Sequence, residues 1–87
     1  MLKVQKEYLK RMKGISRQRF KELIEESGMS QKSVAEQIGV TKSTVNKWLK
    51  GTTYPNLIHL VKLAKLFNVT IDYIAGRDAK KHYQETK

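Results

Sequence analysis

The chain has 87 residues, enough for one small domain and too few for two. The absence of cysteine excludes disulfides and thiolate metal sites, and the apolar runs are too short for a signal peptide or a membrane span, so we expect a cytoplasmic protein. The formal net charge of +10 favours a polyanionic partner, nucleic acid first, although a merely solubilising surface would have the same total.

The pattern of charge and apolar residues divides the chain into residues 1–15, 16–76 and 77–87. Residues 1–15 leave three interpretations open: a basic arm on nucleic acid, an extra docking helix or a frayed end. Their apolar side consists of Leu2, Tyr8, Leu9 and Met12, and their basic residues are Lys3, Lys6, Lys10, Arg11 and Lys13. Residues 77–87 have no apolar periodicity, which predicts a mobile polar tail.

Apolar residues at helical spacing predict a first helix over residues 17–27, closed by Gly28. They are Phe20, Leu23 and Ile24. A second helix, of about two turns, should begin after the N-cap Ser30 and end at Gly39. Its inward residues are Val34, Ala35 and Ile38.

Three more short helices follow. Thr41, Asn56 and Thr70 are the predicted N-caps, and Gly51 and Gly76 stop the first and the last of the three. The inward residues should be Val45, Trp48 and Leu49 in the first of the three, and Leu57, Leu60, Val61, Ala64 and Phe67 in the second. The last helix carries Ile71 and Ile74. Strand periodicity is nearly absent, so we expect a compact all-α domain of about five short helices.

The segment SVAEQIGVTKSTVNKWLKG, residues 33–51, meets the requirements of a helix-turn-helix. Two helices that cross steeply need a small residue where their backbones approach, which Ala35 supplies, and a corner residue that tolerates positive φ, which Gly39 supplies. The residues that lock the angle are Val34, Ile38, Val40, Val45 and Trp48. Two core helices joined by a glycine turn would reproduce part of this pattern, but not all of it.

Together with its flanking helices, the stretch from Arg19 to Gly76 resembles the DNA-binding domain shared by phage repressors, Cro proteins and the xenobiotic-response-element regulators of bacteria. The matching segments are RFKELIEESGMSQKSVAEQIGV, TKSTVNKWLKG, PNLIHLVKLAKLFNV and TIDYIAGR. The resemblance implies a lambda-repressor-like fold of five helices, in which the third helix enters the major groove and the second lies across the phosphate backbone.

Two positions depart from the family pattern. Leu49 stands where many members have an acidic residue, which indicates packing in place of an ion pair with the first helix. Lys50 stands where an asparagine is common, and it adds positive charge beside the expected path of the phosphates.

The outer side of the third helix is the candidate base-reading surface. With Val45 inward, the helical period places Ser43, Asn46, Lys47 and Lys50 on a polar outer side. Residues near the N-terminus of a recognition helix typically reach base edges. The predicted base readers are Lys42, Ser43 and Lys47, with Thr44 and Asn46 as neighbours. The alternative for each is a phosphate contact or a solvated side chain.

Residues on both sides of this helix are candidate phosphate ligands. Gln31 and Lys32 begin the second helix, where unpaired amide groups attract an anion. The candidates after the third helix are Lys50, Thr52, Thr53 and Tyr54.

Two functions remain open. The first is a sequence-specific repressor of a phage or other mobile element, which binds duplex DNA at an inverted repeat as a homodimer. Its candidate pairing surface is Ile71, Tyr73 and Ile74. The second is a protein-interaction module, such as an autoregulating antitoxin or an antirepressor. Metal-ligand spacing, phosphate-binding loops and paired catalytic carboxylates are missing, and His59 should be exposed, so we expect no enzymatic activity, no metal and no cofactor.

Overall fold

The computed structural model of the protein describes the backbone of residues 2–77 and 80–82, and the side chains of these residues from residue 5 onward. Five helices lie in this part of the chain. They are α1 (Leu2–Ser27), α2 (Gln31–Ile38), α3 (Lys42–Lys50), α4 (Leu57–Phe67) and α5 (Ile71–Ile74). The predicted all-α class is confirmed. The predicted mobile tail falls in part on residues 78–79 and 83–87, which lie outside the described residues.

Side-chain caps begin the four helices after α1. In each case an oxygen of the N-cap side chain accepts a hydrogen bond from the backbone N–H three residues later. Such a bond satisfies a donor that the helix itself leaves without a partner, and it stabilises the helix by about 1 kcal/mol. The four caps are the predicted ones: Ser30, Thr41, Asn56 and Thr70.

One hydrophobic core joins the five helices. Its aromatic centre is Phe20 of α1, whose ring lies edge-on to Trp48 at a centroid distance of 6.2 Å and to Phe67 at 6.3 Å. The core is completed by Leu23, Val34, Ala35, Ile38, Val45, Leu60, Leu63, Ala64, Val69 and Ile74. The inward residues predicted for α2, together with Val45 and Trp48 of α3, are therefore confirmed.

The inward side of α4 agrees with the prediction at Leu60 and Ala64 but differs from it elsewhere. Leu57 and Val61 are 68% and 42% exposed, whereas Leu60, Leu63 and Ala64 are buried. Both sets have helical spacing, so periodicity could not separate them. The packing of α4 against α2 and α5 selects the side that contains Leu63.

His59 also departs from the prediction of an exposed side chain. It is half-buried, and its ring lies 5.1 Å from the ring of Trp48, centroid to centroid. The imidazole therefore covers one side of the tryptophan.

The helix α1 has 26 residues and runs without a break across the boundary between residues 15 and 16. Hydrogen bonds from Ser16 and Arg19 attach it to the end of α5. The buried Ser16 hydroxyl donates to the carbonyl of Ile74, and the Arg19 guanidinium donates to the carbonyls of Tyr73 and Arg77, both at 2.7 Å. These bonds hold α1 against α5.

The contact between α1 and the end of α5 requires a glycine. Gly76 has φ of 92°, and a Cβ atom there would lie 2.0 Å from the carbonyl oxygen of Met12. A side chain at this position would force the two backbones apart.

Candidate nucleic-acid interface

The turn between α2 and α3 is built as its sequence predicts. Gly39 has φ of 78°, in the left-handed region, and the N–H of Val40 donates to the carbonyl of Ala35 at 2.9 Å. Val34 and Val45, one on each helix, are 0% exposed. The angle between the two helices is thus set by buried contacts. Their polar sides are not needed for this packing and can contact another molecule.

The outer side of α3 presents a row of exposed polar side chains. They are Lys42, Ser43, Lys47 and Lys50. Thr44 is half-buried, and its hydroxyl lies 2.9 Å from the hydroxyl of the N-cap Thr41. Three of the five predicted base readers are therefore fully available, and Thr44 is partly engaged in capping its own helix.

Asn46 links α3 to the first residue of α2. Its amide nitrogen donates to the side-chain oxygen of Gln31 at 3.3 Å, and both side chains are half-buried. The structure therefore brings together a predicted base reader and a predicted phosphate ligand. The neighbouring Lys32 is exposed, and α-helix geometry leaves the first backbone N–H groups of α2 without an intrahelical partner.

The loop after α3 contains the remaining predicted phosphate ligands. Thr52 and Thr53 are exposed, and the N–H of Thr52 donates to the carbonyl of Lys47 at 2.9 Å, which keeps the loop close to the last turn of α3. Tyr54 differs from them. It is half-buried, and its hydroxyl donates to the carbonyl of Ala75 at 3.1 Å, so this phenol holds the loop against α5.

Arg17 is a residue of this surface that the sequence analysis missed. Its guanidinium donates to the carbonyl of Lys50 at 3.1 Å, at the negative end of the α3 dipole. A signal was present in the sequence, because Lys10, Lys13 and Arg17 are separated by three and four residues and therefore lie on one side of a helix. The partner of that side could not be seen before the fold was known.

The surface around α3 has one sign of charge. Residues 37–71 include no aspartate or glutamate, whereas Lys42, Lys47 and Lys50 all lie on α3 itself. The ion pair found among the described residues, Lys81 with Glu26 at 3.1 Å, joins α1 to the segment after α5. The hydrogen bond to Glu26 raises the pKa of Lys81. Nothing comparable neutralises the lysines of α3 in the described structure.

The pairing surface predicted on α5 is partly wrong. Ile74 is 0% exposed and belongs to the core, because α5 has only four residues and turns this side chain inward. Ile71 and Tyr73 are half-buried, and the guanidinium carbon of Arg19 lies 4.3 Å from the centroid of the Tyr73 ring. Only Ile71 and Tyr73 remain candidates for a contact with a second chain.

A protein-family model described as helix-turn-helix matches residues 20–74, the segment that forms this fold. The chain belongs to this family. It is a family of DNA-binding transcriptional regulators of the phage repressor, Cro and xenobiotic-response-element type, in agreement with the resemblance found in the sequence.

Individual relatives of this helix-turn-helix chain agree with the assignment. The HTH-type transcriptional regulator ImmR of Bacillus subtilis is 31% identical over 68 residues, which cover 78% of this chain and 54% of that protein. The HTH-type transcriptional activator BcrR of Enterococcus faecalis is 41% identical over 44 residues, or 51% of this chain and 22% of the activator. The chain thus spans about half or less of the length of these curated relatives.

A solved structure shares the fold. The solution structure of the SOS-response transcriptional repressor LexA from Eubacterium rectale superposes with a TM-score of 0.71 and 25% identity, and the match covers 87% of this chain and 81% of that chain.

Within the residues that the structure describes, no helix is both long enough and apolar enough to cross a membrane.

Proposed function

We propose that this helix-turn-helix protein binds duplex DNA sequence-specifically and represses transcription, with α3 in the major groove. The observation that carries the proposal is the division of α3 into two sides. Val45 and Trp48 hold one side in the core, while Lys42, Ser43 and Lys47 stand exposed on the other. The LexA repressor fold supports the repressive role, whereas the name of BcrR describes an activator, so the direction of regulation needs its own test.

The base readers in this proposal are Lys42, Ser43 and Lys47, with Thr44 and Asn46 beside them. A lysine can donate to the N7 and O6 acceptors of guanine, and an asparagine pairs well with adenine. Because Asn46 donates to Gln31, its orientation toward a base depends on the first residue of α2. Asn46 therefore reads DNA together with Gln31.

The phosphate ligands lie on both sides of α3. Lys32 and the free N–H groups at the start of α2 bind the backbone on one side, and Lys50, Thr52 and Thr53 bind it on the other. The exposure of these side chains and the lack of carboxylates in residues 37–71 support this role.

Two chains should bind one operator. Helix-turn-helix dimers place their recognition helices about 34 Å apart, one turn of DNA, on an inverted repeat. Ile71 and Tyr73 are the candidate pairing residues. The ImmR and LexA relatives are consistent with an operator-binding regulator, and a phage or other mobile element is the source that we propose for the regulated genes.

The decisive experiment is selection of bound duplexes from a random pool. We expect an enriched inverted repeat that binds at least about 10³ times more tightly than random DNA. A reporter gene placed behind the selected site should then be repressed. Equal affinity for selected and random duplexes would contradict sequence-specific binding. Activation of the reporter would contradict the repressive role but not the sequence-specific binding.

Two variants test the division between reader and anchor. Lys47→Ala should change which sequences are enriched, whereas Lys32→Ala should weaken binding to all sequences alike. Gln31→Ala should also weaken all sequences, but the loss of its bond to Asn46 makes Lys32→Ala the cleaner anchor variant. The reverse pattern would mean that the two roles are exchanged.

A second candidate function is a protein-interaction module such as an autoregulating antitoxin or an antirepressor. The exposed apolar residues of α4, Leu57 at 68% and Ile58 at 64%, favour it as a second contact surface. The protein would then form a stable stoichiometric complex with the product of a neighbouring gene. Failure to bind duplex DNA at low salt, together with such a complex, would establish this alternative as the main function.

A further inference from the structure

A cleft of about 430 Å³ lies between residues 10–20 of α1 and the loop that joins α3 to α4. Lys10, Lys13 and Arg17 of α1 form one wall, and Thr52 and Thr53 form the other. All five side chains are exposed. The cleft therefore presents cationic groups opposite hydroxyl groups.

The floor of the cleft is apolar, and its walls are polar. Its apolar residues include Trp48 and Leu63, which are 4% and 0% exposed, because they already pack in the core. The charged and hydroxyl groups of the walls supply the polar contacts that a ligand would make. Cationic donors of this kind bind an anion such as a phosphodiester.

The cations of the α1 wall form no ion pair with a described carboxylate of the chain. Within the described part of the chain, no carboxylate lies within 4 Å of Lys10, Lys13 or Arg17. One nitrogen of Arg17 donates to the Lys50 carbonyl, and the guanidinium has further N–H donors for a second acceptor. The ammonium of Lys13 lies 5.6 Å from the centroid of the Tyr54 ring, which directs it toward the loop.

The position of the cleft connects it to the recognition helix. The Arg17 bond to Lys50 places the cleft where α3 ends, and the loop begins with Thr52 bonded to the carbonyl of Lys47. Arg17 of α1 is therefore a neighbour of the last residue of α3. A DNA strand that contacts Lys50 would have the Arg17 end of the cleft beside it.

Gly14 supplies an independent observation. It lies in the interior of α1 and lines the cleft, yet a Cβ there would meet no atom within 4 Å. A glycine in a helix interior costs about 0.5–1 kcal/mol relative to alanine, so internal packing does not account for it. Its missing side chain leaves room for a ligand to approach the helix backbone closely.

We propose that this cleft binds a DNA phosphodiester that lies beyond the segment contacted by α2 and α3, and that Lys10, Lys13 and Arg17 are its ligands. The inference rests on the proposed DNA-binding function. It assigns residues 10–17 of α1, which lie outside the matched family segment, to the same DNA surface.

The test compares two double variants of the full chain that each remove two positive charges. Lys10→Gln with Lys13→Gln changes the cleft, and Lys65→Gln with Lys80→Gln removes two exposed lysines that do not line it. Glutamine has nearly the helix propensity of lysine, so both proteins should keep their fold, which circular dichroism and thermal unfolding will check.

The readout is the slope of log K against log salt for the selected duplex. Each phosphate contact contributes about 0.9 to this slope, so the cleft variant should lose about 1.8 and the control variant close to zero. Hydroxyl-radical footprinting should also show one protected backbone segment lost at the edge of each half-site.

Equal slopes for the two double variants would overturn the proposal while leaving DNA binding intact. So would weaker binding of the cleft variant with an unchanged slope, since that indicates a structural role. If the unmodified protein fails to bind any duplex, the proposed function itself fails, and the cleft proposal fails with it. The three outcomes are therefore distinguishable.

Discussion

The α2–α3 unit and the first half of α1 differ in the interactions that stabilise their helices. With 8 and 9 residues, α2 and α3 are shorter than the roughly 12–15 residues at which an isolated helix becomes even marginal in water. They depend on caps and on buried residues such as Val34 and Trp48. In the first half of α1, Tyr8 and Leu9 are 56% and 47% exposed, and the segment belongs to a helix of 26 residues.

This difference shows two ways of presenting positive charge. In α3 the buried residues fix the side of the helix on which the lysines lie, which suits the reading of individual bases. In α1 the charges stand on a continuous helix with few tertiary contacts, which suits attraction to a uniform backbone. The following substitutions test whether the two regions depend on packing to such different degrees.

The largest effect is expected for Trp48→Ala. Trp48 is 4% exposed and packs against Phe20 and His59, so its truncation should lower the free energy of unfolding by about 3–5 kcal/mol. The matched variant Tyr8→Ala, in the exposed half of α1, should change it by no more than about 0.5 kcal/mol. Urea denaturation followed by circular dichroism will measure both values, and similar losses would contradict the contrast.

Replacement of Gly39 and of Gly14 by alanine should change the free energy of unfolding in opposite directions. Gly39→Ala should destabilise the protein by about 1–2 kcal/mol, because φ of 78° is unfavourable for alanine even though no atom lies within 4 Å of the added Cβ. Gly14→Ala should stabilise it by about 0.5–1 kcal/mol, since alanine favours a helix interior. Thermal unfolding will compare the two, and a destabilising Gly14→Ala would show that α1 has contacts at this glycine.

A moderate effect is expected for Thr41→Ala. The variant removes the oxygen that accepts the N–H of Thr44, and the loss of such a cap costs about 1 kcal/mol. Because α3 carries the proposed base readers, affinity for the selected duplex should also fall. Thr53→Ala, in the loop, is the control for the loss of an exposed threonine, and its free energy of unfolding should be nearly unchanged.

The smallest effect is expected for Glu26→Gln. The bond to Glu26 raises the pKa of Lys81, so the variant should bring that pKa back toward the ordinary value for lysine, as measured by NMR titration. A raised pKa stabilises the fold below the pKa of the unfolded chain, and this contribution is lost as pH rises through the folded value. The pair is exposed, so stability at neutral pH should hardly change.

Much of the interface was predictable because its residues are determined by sequence-local requirements. The polar side of α3 follows from the inward positions of Val45 and Trp48, and the helical period then places Lys47 outward. Arg17 and the cleft were not predictable in the same way. Their partners, Lys50 and Thr52, lie more than thirty residues away in sequence.

The positions at which α2, α3, α4 and α5 begin were determined by the sequence alone. Ser30, Thr41, Asn56 and Thr70 cap their helices because each bond reaches only three residues along the chain. The tertiary structure decided which apolar side of α4 is buried, that Ile74 belongs to the core, and that α1 continues through residues 15 and 16. Capping is a local interaction, whereas burial depends on the surfaces that distant segments bring together.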